Sequence, residues 1–174
     1  MVPKWSPPPG GFLKVNVDAS TGRDSIRGVG VIVRNSKGDI MVAAHKSFRA
    51  DWDVDTMEAF AVFYGLKMCW EVGYQRIEVE MDSKIVVEAL NRRKNLQNYT
   101  STFIHDAHTL GSLFTAISFS HVRRIANVVA HELARSALAS EVGKIWLREC
   151  SPCIAALIEL ERQCTLLECS VLND

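Results

Sequence analysis

Hydrophobic and polar residues alternate in the segment Leu13-Lys14-Val15-Asn16-Val17-Asp18. A period of two predicts a β-strand, with Leu13, Val15 and Val17 on one face and Lys14, Asn16 and Asp18 on the other. The polar stretch Thr21 to Arg27 reads as a turn, and Gly28 to Arg34 as a second strand. Asn35-Ser36-Lys37-Gly38-Asp39 has turn composition, with Gly38 available for positive φ, and Ile40 to Lys46 completes an antiparallel three-strand meander.

The pattern then changes period. Thr56 to Gly73 reads as a helix, with Thr56 as a cap, Gly73 just past its end, and an almost wholly apolar stretch from Met57 to Leu66. Ile77 to Met81 returns to strand alternation. Helices follow over Ser83–Arg93 and Thr100–Leu110, a strand over Ala116–Val122, and a helix over Val128–Ser140 that Asn127 can cap. The order βββαβααβα predicts an α/β fold. Its mixed five-stranded sheet would have three antiparallel strands, then parallel ones, and helices on both faces. Residues 1–11 form an extended Pro-rich lead-in, 12–140 the domain, and 141–174 an acidic extension with a helix near Cys153–Leu167.

Composition narrows the class. The 174 residues carry 20 Lys+Arg and 20 Asp+Glu, so the net charge is zero. That argues against a polybasic binder held by its overall field, though a local patch would suffice for nucleic acid. The balance is a cancellation. Residues 141–174 hold six acids against three bases, and residues 1–140 hold 17 bases against 14 acids. No run of about 20 apolar residues offers a membrane span. The opening Met1-Val2-Pro3-Lys4-Trp5 lacks the apolar core of a secretory signal. Five cysteines, an odd number, read as reduced thiols. Cys150, Cys153, Cys164 and Cys169 are too irregularly spaced for a zinc site to be expected. An intracellular protein of nucleus or cytoplasm, not a secreted or membrane one, is expected.

Three carboxylates interrupt apolar elements: Asp18 at the end of the first strand, Glu58 in the first turn of the most apolar helix, and Asp82 at the end of the fourth strand. Each also has a local explanation, as a turn entry, a helix-dipole partner and a helix start respectively. Together they suggest a cation site. Converging carboxylates repel one another unless a hard divalent ion lies between them, and sites in α/β sheets collect at strand ends. Two Mg²⁺ ions about 4 Å apart would serve phosphodiester hydrolysis.

Asn16-Val17-Asp18-Ala19-Ser20, Gly28-Val29-Gly30-Val31-Ile32, Met57-Glu58-Ala59 and Glu80-Met81-Asp82-Ser83 resemble the ribonuclease H type 1 family. Asn127-Val128-Val129-Ala130-His131-Glu132-Leu133-Ala134 resembles its closing N-x-x-A-D-x-L-A motif. Trp5-Ser6-Pro7-Pro8-Pro9 and Val122-Arg123-Arg124 are similar to its plant branch, related to non-LTR retrotransposon reverse-transcriptase ribonuclease H regions.

The resemblance implies cleavage of the RNA strand of an RNA–DNA hybrid, leaving 3′-hydroxyl and 5′-phosphate ends. Asp18, Glu58 and Asp82 match three positions of a D-E-D-D metal site for two Mg²⁺ ions. The fourth position is His131, which removes a negative charge and suits Mn²⁺ better than Mg²⁺. His121 matches a histidine that assists proton transfer or product release. Nucleic-acid contacts are implied at Asn16, Ser20, Ser83, Arg123, Arg124 and Asn127. Ala19 stands where the family has glycine, Asp53-Val54-Asp55-Thr56 lacks the paired asparagines of some members, and no extra basic helix separates the second and third helices. Arg92-Arg93-Lys94 is a second basic run, read either as a solvated helix end or as a phosphate contact. Two other readings stand beside the enzyme: a catalytically weak nucleic-acid-binding module left from a retroelement, and a protein-interaction domain using the tail.

Overall fold

The strands pair as their alternation requires. The computed structural model describes residues 4–92 and 98–171, with side chains through Gln163. Strands β1 (Leu13–Thr21), β2 (Ile26–Arg34) and β3 (Ile40–Arg49) form the antiparallel meander. β1 and β2 run further into their connection than polarity suggests, because ladder bonds use backbone and tolerate polar side chains. The turn between them closes with the Gly22 amide on the Ile26 carbonyl at 2.8 Å. Helix α1 (Val54–Val72) then crosses to β4 (Arg76–Met81), which lies parallel to β1. Helices α2 (Lys84–Arg92) and α3 (Tyr99–Gly111) precede β5 (Ala116–His121), which lies parallel to β4. Helix α4 (Val128–Ala137), strand β6 (Lys144–Leu147) and helix α5 (Pro152–Val171) complete the chain.

The sheet order is β5-β4-β1-β2-β3-β6. It has six strands where the sequence predicts five. The additional β6 pairs antiparallel with β3, from Val42 opposite Leu147 to His45 opposite Lys144. Four residues are too short for a period to declare itself.

Two helix caps also differ from the sequence reading. Asp53, not Thr56, caps α1: its carboxylate accepts the Thr56 amide at 2.8 Å. Asp53 stands just ahead of the helix, where its carboxylate faces the N–H groups the first turn leaves free, whereas Thr56 lies inside that turn. Asn127 stands at the start of α4 without a capping bond, since its side chain is used in the sheet. Gly73 ends α1 at φ 90°, a left-handed conformation that glycine adopts without strain.

Helices cover both faces. Under α1, the buried Val15, Val17, Val31 and Val33 meet Met57, Val62 and Leu66, and α3 packs beside α1. On the opposite face Ile32 and Ala43 meet Val129, Ala130 and Leu133 of α4 together with Ile154 and Ile158 of α5. Each such Val, Leu, Ile or Met side chain stabilises the fold by about 1.5–3 kcal/mol. Strand β6 therefore closes the sheet edge, and Ile154 and Ile158 of α5 help cover one face. Helix α4 lies unusually close to β2. A Cβ on Gly30 would stand 2.4 Å from the Ala130 carbonyl oxygen, and one on Gly28 would stand 2.3 Å from that of Ala134. These two glycines let α4 settle against the sheet, and so determine how near the side chains of its first turn come to β1.

Candidate metal centre

Parallel pairing of β1 and β4 brings two carboxylates level. The last paired residues are Asn16 and Glu80. Asp18 and Asp82 each lie two residues further on, so they emerge side by side where the ladder opens. β1 itself continues past Asp18 to Thr21 through its pairing with β2. Glu58 arrives from the second turn of α1, beyond the first turn in which a helix dipole acts strongly. One oxygen from each of Asp18, Glu58 and Asp82 lies within 4.8 Å of the others.

Burial makes this arrangement costly without a cation. Asp18 is fully buried and Glu58 nearly so. Asp18 Oδ1 and Glu58 Oε2 have no hydrogen-bond partner among the described residues. Burial first, and the Asp82 carboxylate second, push Asp18 up to about 8. Burial, then the charges of Asp18 and Asp82, push Glu58 well above the usual carboxylate range. Converging hard oxygen donors, two of them without a partner among the described residues, fit a divalent cation of the Mg²⁺ or Mn²⁺ type.

Two neighbours complete the site. His131, in the first turn of α4, places Nδ1 2.7 Å from Asp18 Oδ2. Burial and then Arg124 lower the His131 imidazole, while Asp18 is raised. Both shifts act against a charged pair at this contact. Arg124 donates from Nε to Asp82 Oδ2 at 3.0 Å, and its charge lowers both Asp18 and Glu58. The sequence singles out Arg124 as a phosphate contact; the structure gives it an acidic partner within the site.

The other predicted residues are placed as follows. His121 ends β5 opposite Met81 in the ladder, next in chain space to Asp82, and is exposed. Arg123 is exposed beside it. Ser20 is half-buried on β1 opposite Gly28. Ser83 Oγ accepts the Val86 amide at 3.4 Å, at the start of α2. Asn16 and Asn127 are buried and occupied. Asn16 Nδ2 donates to Glu80 Oε2 at 3.1 Å and to Asn127 Oδ1 at 3.2 Å, and Asn127 Nδ2 donates to the Val17 carbonyl at 2.9 Å. Their amides tie α4 to β1 and β4 instead of facing a ligand. Ala19 pairs with Val29 inside β1 and is absent from the positive-φ residues, so its Cβ is accommodated. α3 follows α2 through residues 93–98; Arg93 and Lys94 lie outside the described residues, as do the Cys164 and Cys169 side chains. Cys150 and Cys153 are free thiols. Among the described residues no helix is long and apolar enough to cross a membrane.

Sequence reasoning misses a buried network behind the centre. Trp5 Nε1 donates to Asn16 Oδ1 at 3.0 Å, and the Arg34 guanidinium lies 3.7 Å from the centroid of the Trp5 ring. Arg34 also donates to Glu161 of α5. Lys14 Nζ bonds Glu80 at 2.8 Å and the Ser6 carbonyl at 2.8 Å. The available signal was charge on the inner strands: Lys14, Arg34, Glu78 and Glu80 all alternate with buried apolar residues.

The reverse transcriptase-like family profile matches residues 16–137. An Arabidopsis thaliana protein provisionally named a ribonuclease H protein is 28% identical over 140 residues, which is 80% of this chain and 22% of that protein. The chain thus spans about a fifth of that curated relative. Among solved structures, the N-terminal RNase H domain of a Mycobacterium tuberculosis protein superposes with a TM-score of 0.67 at 23% identity, covering 74% of this chain and 94% of that one. RNase H1 of Halobacterium salinarum gives the same score and identity, covering 74% and 98%. LC11-RNase H1, solved in complex with an RNA/DNA hybrid, gives 0.64 at 20% identity, covering 73% and 96%.

Proposed function

From a chain that belongs to the reverse transcriptase-like family and carries the ribonuclease H fold, we propose a metal-dependent endonuclease that hydrolyses the RNA strand of RNA–DNA hybrids. The observation that carries this reading is the convergence of Asp18, Glu58 and Asp82, with Asp18 Oδ1 and Glu58 Oε2 buried and without a hydrogen-bond partner among the described residues. The name of the Arabidopsis relative and the hybrid bound to LC11-RNase H1 support it.

Divalent ions in such a site supply an activated water and stabilise the leaving oxygen. Asp18, Glu58 and Asp82 would hold them. Ionisation of the buried carboxylates is coupled to cation arrival. Arg124 is poised to exchange Asp82 for a substrate phosphate, since a guanidinium accommodates either acceptor. His121, exposed at the strand end, is placed to give a proton to the departing 3′-oxygen. His131 orients Asp18 through Nδ1 and brings no negative charge of its own, so the site favours Mn²⁺ over Mg²⁺ and turns over slowly with Mg²⁺.

The test is hybrid cleavage by the folded protein with Mg²⁺ and with Mn²⁺ in parallel, with end analysis of the products. RNA fragments with 3′-hydroxyl and 5′-phosphate ends are expected, faster with Mn²⁺. Absence of cleavage with both metals overturns the proposal.

A further inference from the structure

We propose that Cys150 and Cys153 form a reversible dithiol–disulfide site, whose co-reactant is a low-molecular-weight disulfide such as oxidised glutathione. The site uses no residue of the carboxylate cluster and does not depend on the hybrid-cleaving reading.

The segment Cys150-Ser151-Pro152-Cys153 carries the chain from β6 into α5. Pro152 opens the helix, where its missing N–H and fixed φ are favourable. The Ile154 amide donates to the Ser151 carbonyl at 3.1 Å and closes the first turn. Side chains of a helix lean towards its start, and Cys153 does so: its Sγ lies 3.1 Å from Ser151 Oγ. The sulfur is thus turned back towards the neighbour of Cys150. Two cysteines separated by two residues at a helix start form a pair suited to thiol–disulfide exchange.

The two thiols differ in access, which assigns their order. Cys153 is exposed and meets the small disulfide first. Cys150 is half-buried against the cluster of Ile32 and Ile154, and it borders a cavity of about 590 Å³ that leaves its side chain room to move. Cys69 is a contrast: burial pushes its thiol up to about 12, so it stays protonated and inert.

The exchange balances as follows. The Cys153 thiolate attacks one sulfur of the small disulfide. That S–S bond breaks, and one half leaves as a thiolate that takes up a proton. The Cys150 thiolate then attacks Cys153 Sγ and expels the second half, which also takes up a proton. Two protein thiols are oxidised and one small disulfide is reduced to two thiols; excess thiol runs the sequence backwards.

The test exposes the folded full chain to oxidised glutathione in the presence of chelator, then quenches, alkylates and maps it by mass spectrometry. The tryptic peptide of residues 149–162 contains Cys150 and Cys153 and no other cysteine. It should lose two hydrogen masses, resist alkylation at both sulfurs, and regain both thiols in dithiothreitol. Cys150→Ser removes the resolving thiol and should trap one glutathione on Cys153. Cys153→Ser should leave Cys150 alkylatable after the same exposure. Circular dichroism should show an unchanged fold in both variants. A peptide that stays fully alkylatable overturns the proposal. So does a disulfide from this peptide to the one carrying Cys164 and Cys169. A stable mixed disulfide on the unsubstituted chain, with no internal bridge, overturns it as well.

Discussion

His131 Nδ1 and Asp18 Oδ2 lie 2.7 Å apart, joining the first turn of α4 to the central strand at the point where three carboxylates meet. The histidine occupies space next to Asp18 without contributing a charge. His131→Asp should supply a fourth carboxylate. The expected result is a Mg²⁺-supported cleavage rate raised about tenfold or more, within the 10–100-fold range typical of groups that tune a metal site. The metal-free variant should also be less stable at pH 8. Steady-state cleavage in Mg²⁺ and thermal unfolding in chelator check the two effects, and an unchanged Mg²⁺ rate would show that the fourth position does not limit turnover.

The raised carboxylates make stability depend on pH with a definite sign. Asp18 titrates at about 8 when folded, against an ordinary value near 3.8, and Glu58 is raised in the same direction. Between those limits the folded chain binds more protons than the unfolded one. Its stability is therefore present in full at acid pH and falls as pH rises through the folded values. Metal-free protein should melt several degrees lower at pH 8 than at pH 5. Mn²⁺ should restore more stability at pH 8 than at pH 5, with protons released on binding. Calorimetry in buffers of different ionisation enthalpy measures that release directly.

Arg124 is a cation already within the site, 3.0 Å from Asp82. It competes with a metal ion for the same carboxylate and shields the cluster. Its side chain is largely exposed, so the effect is modest, within the ~0–1 kcal/mol of a surface pair. Arg124→Ala should tighten Mn²⁺ binding up to about fivefold and weaken hybrid binding at low salt. A merely structural role would move both affinities in the same direction. Titration calorimetry and fluorescence anisotropy separate the two.

The parts of this site that are legible in sequence are those with a local signature. Asp18, Glu58 and Asp82 stand out because each breaks an apolar run, and strand alternation places Asp18 on the polar face of its strand and Asp82 just past the end of its own. The parts that are not legible depend on contacts between distant positions. Trp5 and Asn16 are partners only after the lead-in folds over the sheet, and Arg124 meets Asp82 only because β4 and β5 are parallel neighbours. Asn127 illustrates the limit of a local rule. It has the right residue type for a helix cap, but burial against β1 offers its amide a backbone carbonyl of Val17, and that bond prevails. β6 is invisible for a different reason: its partner β3 supplies the pairing, and four residues carry no period of their own.

Gly30 tests whether the approach of α4 positions His131. An added Cβ would meet the Ala130 carbonyl and the Ala134 amide, both at 2.4 Å, and helix backbone cannot rotate aside as a side chain can. Gly30→Ala should cost about 1–3 kcal/mol, the usual range for overpacking, and lie at its upper end. Urea unfolding gives the stability. The His131 ring should also move away from Asp18, so that its imidazole resonances in NMR titrate closer to those of a solvated histidine. A normal stability with an unmoved imidazole titration would mean that α4 is held at its distance by contacts other than this one.

Arg34 gives the sharpest energetic test, because it joins both ends of the chain. It is 2% exposed, stacks on Trp5 of the lead-in and donates to Glu161 of α5. A guanidinium so buried depends on its carboxylate. Glu161→Leu leaves the charge in place without its counter-ion and should destabilise the fold by about 3–5 kcal/mol. Arg34→Met with Glu161→Leu removes both charges and keeps most of the packing volume, so it should cost much less than the single change. Denaturant unfolding of the wild type, the two single variants and the double variant forms a cycle that isolates the pair. If the single and double variants lose the same stability, the ion pair is not what fixes α5 to the sheet, and the apolar contacts of Ile154 and Ile158 hold it alone.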